Sequence, residues 1–252
     1  MYFLAALLTL KAVEPDRFPL HLADHDEALP SRQELRFKGA LLREGQMTAA
    51  LLSSAARHRL IRLTCWSKAR DTPASVLQAL TSRPRIEFAQ QCYAVESVDL
   101  VDPLWTGIST WADLQNLRQG VRMRFTFATP LVTARREQGT ESNVLPFPDP
   151  QTLFSPLLHH WRELGGPALP YAGEQVVQAA GCMLSEYRLE TAENTAQAQA
   201  HPGFLGWVEY MCRAGEITAI ASLNALARLA FFTGSGYLTT LGMGATAVTI
   251  AN

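Results

Sequence analysis

The sequence predicts an α+β protein in which the order strand, helix, strand, strand, helix, strand occurs twice. Three stretches carry this prediction. The chain opens on an apolar run from Tyr2 to Val13. Val121 to Thr129 alternates Val121, Met123, Phe125 and Phe127 with Arg122, Arg124 and Thr126, the mark of a half-buried strand. Gly215 to Phe232 repeats apolar residues at helical spacing, and a glycine-rich loop and a last apolar segment follow it.

In chain order, Tyr2 to Val13 is the first strand, and the polar, proline-bearing Glu14 to Pro30 is a loop. Ser31 with Glu34 three residues on forms a capping box. Leu35, Ala40, Leu41, Leu42 and Ala49 to Leu52 extend that helix, with an interruption near Gly45. Arg59 to Trp66 is a strand, although Leu60 and Ile61 break strict alternation. Thr72 to Ser82 is a short helix, and Pro84 to Leu100 a strand or hairpin. In the second half, Val121 to Thr129 is followed by a proline-rich loop at Phe147 to Asp149. A helix from Phe154 to Leu164 is stopped by Gly165-Gly166. Val176 to Glu190 and Phe204 to Cys212 are strands joined by the polar, alanine-rich Thr191 to Pro202. The helix Gly215 to Phe232 and the strand Ala245 to Ile250 close the repeat. Two such split βαβ units make tandem ferredoxin-like (βαββαβ) domains at 1–105 and 118–252, each expected as a four-stranded antiparallel sheet with two helices on one face. Sheets of this kind, as in RRM modules, suit single-stranded RNA.

Composition narrows the function. At 48% apolar the 252-residue chain can bury a large core or two smaller ones. No apolar run reaches the roughly 18 residues of a membrane span, so no membrane partner is expected. The N-terminal run lacks the basic start and small-residue cleavage site of a leader, which points to the cytoplasm. Cys65, Cys92, Cys182 and Cys212 have neither metal-finger nor CxxC spacing; the expectation is free thiols, no metal and no cofactor. A net charge of −1 argues against a general nucleic-acid binder. Against that, 19 of the 22 basic residues are arginine, clustered at Arg57, Arg59 and Arg62, at Arg122 and Arg124, and elsewhere. Arginine holds phosphate bidentately and stacks on bases, which lysine does poorly. A local basic groove on a neutral protein meets both facts.

The segment Phe231-Phe232-Thr233-Gly234-Ser235-Gly236-Tyr237-Leu238-Thr239-Thr240-Leu241-Gly242-Met243-Gly244 is the most informative. Its glycines allow positive φ and close approach of a backbone, and successive N–H groups there can form an anion nest. Dinucleotide Gly-x-Gly motifs lie on a strand-to-helix turn, whereas this loop runs from helix to strand. The sequence here resembles the C-terminal signature of the CRISPR repeat-processing endoribonucleases, in which a helix ends in a paired glycine loop near the end of the chain. Trp105-Thr106-Gly107-Ile108-Ser109-Thr110, Phe127-Ala128-Thr129-Pro130, Leu145-Pro146-Phe147-Pro148 and Leu153-Phe154-Ser155-Pro156-Leu157-Leu158-His159-His160-Trp161 also resemble that family in order and spacing, from about residue 100 onward.

The resemblance implies a metal-independent cut within the repeat of a CRISPR precursor RNA, with the 2′-hydroxyl attacking its phosphate to leave a 2′,3′-cyclic end. It also implies a histidine general acid or base after the first helix. Of His21, His25, His58, His159, His160 and His201, His58 precedes Leu63-Thr64-Cys65-Trp66-Ser67, which resembles the family's strand imperfectly. Its ordinary pKa suits proton transfer near neutrality. Arg36, Lys38 and Arg43 stand on the first helix where the family often has a second histidine; with His58 they are the candidate catalytic set, and an arginine-based site would resemble divergent members such as those of type IV systems. Arg57, Arg59, Arg122, Arg124, Gly234, Ser235, Gly236, Gly242 and Gly244 are the candidate RNA-binding residues. CRISPR repeat RNA and other effector subunits are the expected partners. A non-catalytic subunit that holds the guide RNA, or a generic RRM-like RNA-binding protein, are the competing readings.

Overall fold

The computed structural model describes residues 1–12, 45–55, 58–68, 76–78, 80, 85–88, 91–116, 120–135, 143–145, 147–171, 173–194, 201–239 and 242–252. The expected loop after the first strand and the capping box at Ser31 lie outside these residues.

The first sheet is built on β1 (Tyr2–Ala12), flanked by β3 (His58–Ser67) and β5 (Gln91–Asp99). β2 (Gly45–Ala55) pairs with β3, β4 (Arg85–Phe88) with β5, and β6 (Gly107–Thr110) with the start of β1, every pair antiparallel. The order β2-β3-β1-β5 is that of a ferredoxin-like sheet, with β4 and β6 added, so it has six strands rather than the expected four. β2 corrects the sequence reading, which carried a helix through Leu52. Alanine and leucine favour helix in isolation, but register on β3 sets Met47, Ala49 and Leu51 opposite Cys65, Leu63 and Ile61, and that pairing overrides propensity.

The second sheet runs β10 (Cys182–Asn194), β11 (His201–Cys212), β7 (Arg122–Leu131), β12 (Thr246–Ala251), the ferredoxin-like order again. β8 (Thr133–Arg135) and β9 (Asn143–Leu145) form a small separate ladder. Helix α1 (Trp111–Asn116) follows β6, and α2 (Pro150–Glu163) is capped by the Asp149 carboxylate accepting from Gln151 N–H at 2.8 Å. Val176–Ala179 forms a short helix, α3, instead of the start of a strand, and α4 spans Ile217–Thr233. Both long helices sit where the apolar periodicity puts them, within about four residues at each end. Among the described residues no helix is long and apolar enough to cross a membrane.

Two cores result. Leu4, Leu8 and Leu10 of β1 join Ile61, Leu63 and Cys65 of β3 and Val76, Leu80 and Tyr93 in one cluster. The intervening residues Phe3 and Ala5, with Trp66 of β3, face the other way and pack into the core of the second half, where Phe3 lies 5.3 Å from the Phe232 ring and 5.0 Å from Trp111. The first sheet is therefore covered on both faces at this end, which is why every residue from Ile61 to Ser67 is buried and why β3 lacks a clean alternation.

Candidate functional site

The two halves meet where β3 and β2 face the C-terminal end of α4 and the glycine loop. A small pocket opens there, lined by Arg62, Thr64, Thr233, Gly234, Thr239 and Gly242. Arg62 is its centre. Its Nε donates to the Trp105 carbonyl at 2.9 Å and its Nη2 to the Phe231 carbonyl, in the last turn of α4, at 2.6 Å. Its guanidinium lies 4.3 Å from the Phe231 ring centroid and 5.6 Å from that of Trp105. A cation at a helix C-terminus meets the negative end of the macrodipole. Burial nonetheless pulls its pKa from the usual 12.5 to about 9. No ion pair of Arg62 with a carboxylate occurs among the described residues. Sequence reading placed Arg62 in an arginine cluster and gave it no role; the available signal was one charged residue inside the strand Leu60-Ile61-Arg62-Leu63-Thr64.

The glycine loop closes this pocket. Gly234, Gly236, Gly242 and Gly244 all have positive φ, between 59° and 81°. A Cβ on Gly236 would lie 2.5 Å from both Leu131 Cδ1 and the Val132 carbonyl, and one on Gly244 would run into the Ser235 carbonyl. The close approach that requires glycine is therefore to the protein's own backbone. Most of the loop's N–H groups are likewise committed inside the chain. Ser235 donates to Gly244, Tyr237 to Val132, Gly242 to Thr239, Gly244 to Pro130, and Ala245 to the Thr129 hydroxyl. Ser235 is fully buried, its hydroxyl taking a 2.9 Å hydrogen bond from Thr246, while Tyr237 stands out at 50% exposure.

Arg122 and Arg124 project from the open face of β7, as the alternation predicts, but they are not unpaired cations. Arg124 Nη2 lies 2.9 Å from the Glu209 carboxylate, Arg122 Nη1 lies 3.7 Å from it, and the Arg124 guanidinium rests 4.2 Å from the Trp207 ring centroid. His58 begins β3, opposite Lys11 and Ala55 in register, and Arg59 stands opposite Leu10 and Ser54. His58 lies four positions before Arg62 on β3, about 13 Å at 3.3 Å per residue. Arg36, Lys38, Arg43 and Arg57 lie outside the described residues. His159 is exposed and pairs with Glu163 at 3.0 Å. Among the described residues no three His, Cys, Asp or Glu side chains gather as metal ligands would. Cys65, Cys182 and Cys212 are free, and burial pushes the Cys65 thiol up to about 12.

Two ferredoxin-like sheets in series, with a glycine loop shut against the junction, define the fold class as tandem ferredoxin-like α+β. Residues 125–246 match the model of one family, the CRISPR-associated endoribonuclease Cas6. The family resembled on the sequence is thus the family matched, over the stretch that holds most of β7, both long helices and the glycine loop. No curated protein matches the chain. Among solved structures, Thermus thermophilus Cas6 is 24% identical, with 98% of each chain covered and a TM-score of 0.67. A Cas6 substrate mimic complex is 22% identical, covering 99% of this chain and 100% of that one, at a TM-score of 0.71. A Cas6-related protein from Pyrococcus furiosus is 11% identical, covering 98% of each chain, at 0.56. These likenesses establish the tandem ferredoxin-like fold.

Proposed function

We propose that this chain is a CRISPR endoribonuclease that cuts precursor RNA within the repeat without a metal ion and stays on its product within an effector complex. The observation that carries the proposal is the family match at 125–246, which includes the loop that closes the junction. A similar solved structure of a RAMP protein binding different RNA substrates supports RNA as the ligand class. In this reading residues 1–105 carry the chemistry and 118–252 the glycine loop. His58 moves the proton of the attacking 2′-hydroxyl or of the leaving 5′-oxygen. Arg57 and Arg59, next to it in the chain, hold the scissile phosphate, and Arg36, Lys38 and Arg43 contribute charge where no histidine stands. Attack by the 2′-hydroxyl breaks the phosphorus–5′-oxygen bond and leaves a 2′,3′-cyclic phosphate.

A second reading, a non-catalytic subunit that holds the repeat, draws support from the absence of any histidine between His25 and His58. One experiment separates them. End-labelled repeat RNA is incubated with the protein in excess EDTA, and the products are tested for a cyclic phosphate by acid opening and phosphatase treatment. Cleavage in chelator with a phosphatase-resistant end supports the nuclease; tight binding without cleavage supports the holding subunit; a strict need for Mg²⁺ refutes the proposed chemistry.

A further inference from the structure

The first sheet is sealed on both faces at the junction, but among the described residues the second keeps one face free of helices. Register places three rows of side chains on it: Arg188, Trp207 and Thr126; Glu186, Glu209 and Arg124; Met183, Met211 and Arg122. Trp207 and Arg124 occupy the two central strands of the sheet, β11 and β7, and are stacked on one another at 4.2 Å. Glu209 is buried and is neutralised by both Arg122 and Arg124, at 3.7 and 2.9 Å. Arg188 is exposed and lies opposite Trp207 in register. Within these three rows three arginines stand against two glutamates, so the rows are positive although Glu190 begins the next row, opposite Leu205, and the whole chain has a net charge of −1.

We propose that this face is a stacking platform for single-stranded RNA, in which one unpaired base lies on the Arg124–Trp207 stack and its flanking phosphates meet Arg122 and Arg188. The proposal rests on the RNA function argued above and extends it to a second contact, separate from the junction pocket and from His58. Three physical points select this ligand. Every base offers a π-face, so an aromatic–guanidinium pair on a flat sheet accepts unstacked bases with little sequence preference. The ion pairs to Glu209 fix the Arg124 guanidinium over the indole, so the stack is preorganised at little further entropic cost. The polyanionic backbone matches the excess of arginine, and an acidic peptide lacks the bases the stack would hold.

The test uses the full chain and two probes: a fluorescein-labelled 12-nucleotide oligo-uridine and the repeat RNA. Trp207→Ala should weaken oligo-uridine binding roughly 10–100-fold, and Trp207→Phe should restore most of it, since base–aromatic stacking is worth that much per base. A 4-thiouridine probe should crosslink within β11. Far-ultraviolet circular dichroism and the melting temperature of both variants confirm the fold. Unchanged oligo-uridine affinity in a folded Trp207→Ala, a crosslink only outside β7, β10 and β11, or no oligo-uridine binding by the native chain would each overturn the platform. Loss of oligo-uridine binding in Trp207→Ala supports it even if the native chain fails to cleave the repeat, so the two readings fail separately. Binding of an effector protein to this face in competition with oligo-uridine also supports a shared surface, whereas protein binding with no RNA binding overturns the ligand class.

Discussion

Replacing Arg62 tests how the two halves are held together, and the structure sets the sign. The depression of its pKa from 12.5 to about 9 converts, at 1.36 kcal/mol per pH unit, into about 5 kcal/mol lost by keeping the charge buried. Two hydrogen bonds from a charged donor to the Trp105 and Phe231 carbonyls return about 1.5–3 kcal/mol each, so the two terms nearly cancel. A methionine in this place removes the charge and keeps much of the packing between the two rings, while leaving two carbonyls short of a donor. Arg62→Met should therefore change stability by no more than about 2 kcal/mol. A lysine keeps a charge that is more strongly hydrated, reaches one carbonyl at most and cannot stack flat. Arg62→Lys should lose about 3 kcal/mol, roughly 6–12 °C in melting temperature for a chain of this size. The expected order is native, then methionine, then lysine. The pH dependence has a definite sign. Between about pH 9 and 12.5 the unfolded chain holds a proton that folded Arg62 has released, so this group's contribution to stability rises with pH across that window and is flat below it. Melting curves of the three proteins from pH 7 to 10.5 read both effects. A lysine variant as stable as the native chain, or a methionine variant less stable than the lysine variant, would refute the balance of terms.

The other predictions concern the chemistry and the backbone. His58→Ala should slow single-turnover repeat cleavage about 10²–10⁴-fold, the usual range for a general acid or base, with repeat affinity nearly unchanged; full activity together with loss in Arg36→Ala or Arg43→Ala would move the site to the arginines. Gly244→Val places a side chain against the Ser235 carbonyl at positive φ, so its melting temperature should fall in the absence of RNA; a fold of native stability with weakened repeat binding would show that the loop is shaped for RNA instead. Asn224→Ala strips hydrogen bonds from both the N–H and the carbonyl of buried Gly120, at 2.8 and 3.0 Å, and should cost about 2–4 kcal/mol in urea unfolding. Cys65, with its thiol pushed up to about 12, should resist iodoacetamide at pH 8 until the protein is unfolded, and rapid labelling of the native chain would contradict its burial.

What the sequence made legible follows how many faces of an element meet a core. β7 packs one face and leaves the other to solvent, so its period of two is written directly in Arg122 to Phe127. α4 is buried almost all round, and its apolar residues fill every turn, which still reads as a helix because the run is 17 residues long. β3 is covered on both sides, so the adjacent Leu60 and Ile61 looked irregular although each serves a face. β2 was misread because alanine and leucine at 49–52 fit both periods; only its pairing with β3, a contact distant in sequence, decides. The start of the segment at Val176 misled in the opposite direction, since two β-branched residues in a buried helical turn look like a strand.

The glycine loop shows where legibility of the site stops. Four glycines in eleven residues state that a backbone must approach something closely, but composition does not say what. For Gly236 and Gly244 the neighbour is the chain itself, at Leu131, Val132 and Ser235. The loop thereby locks the end of α4 against the end of β7, and Arg62 reaches across from β3 to the same helix end. Junction geometry in this protein thus depends on carbonyls, which no residue type announces. The Phe231 carbonyl accepts from the Arg62 guanidinium only because the chain brings residues 169 apart into hydrogen-bond contact. The same reasoning explains why Trp207 went unremarked. A tryptophan between a glycine and a valine reads as core, and only its register beside Arg124 and Arg188, on the face of the second sheet that no described helix covers, gives it a surface to offer.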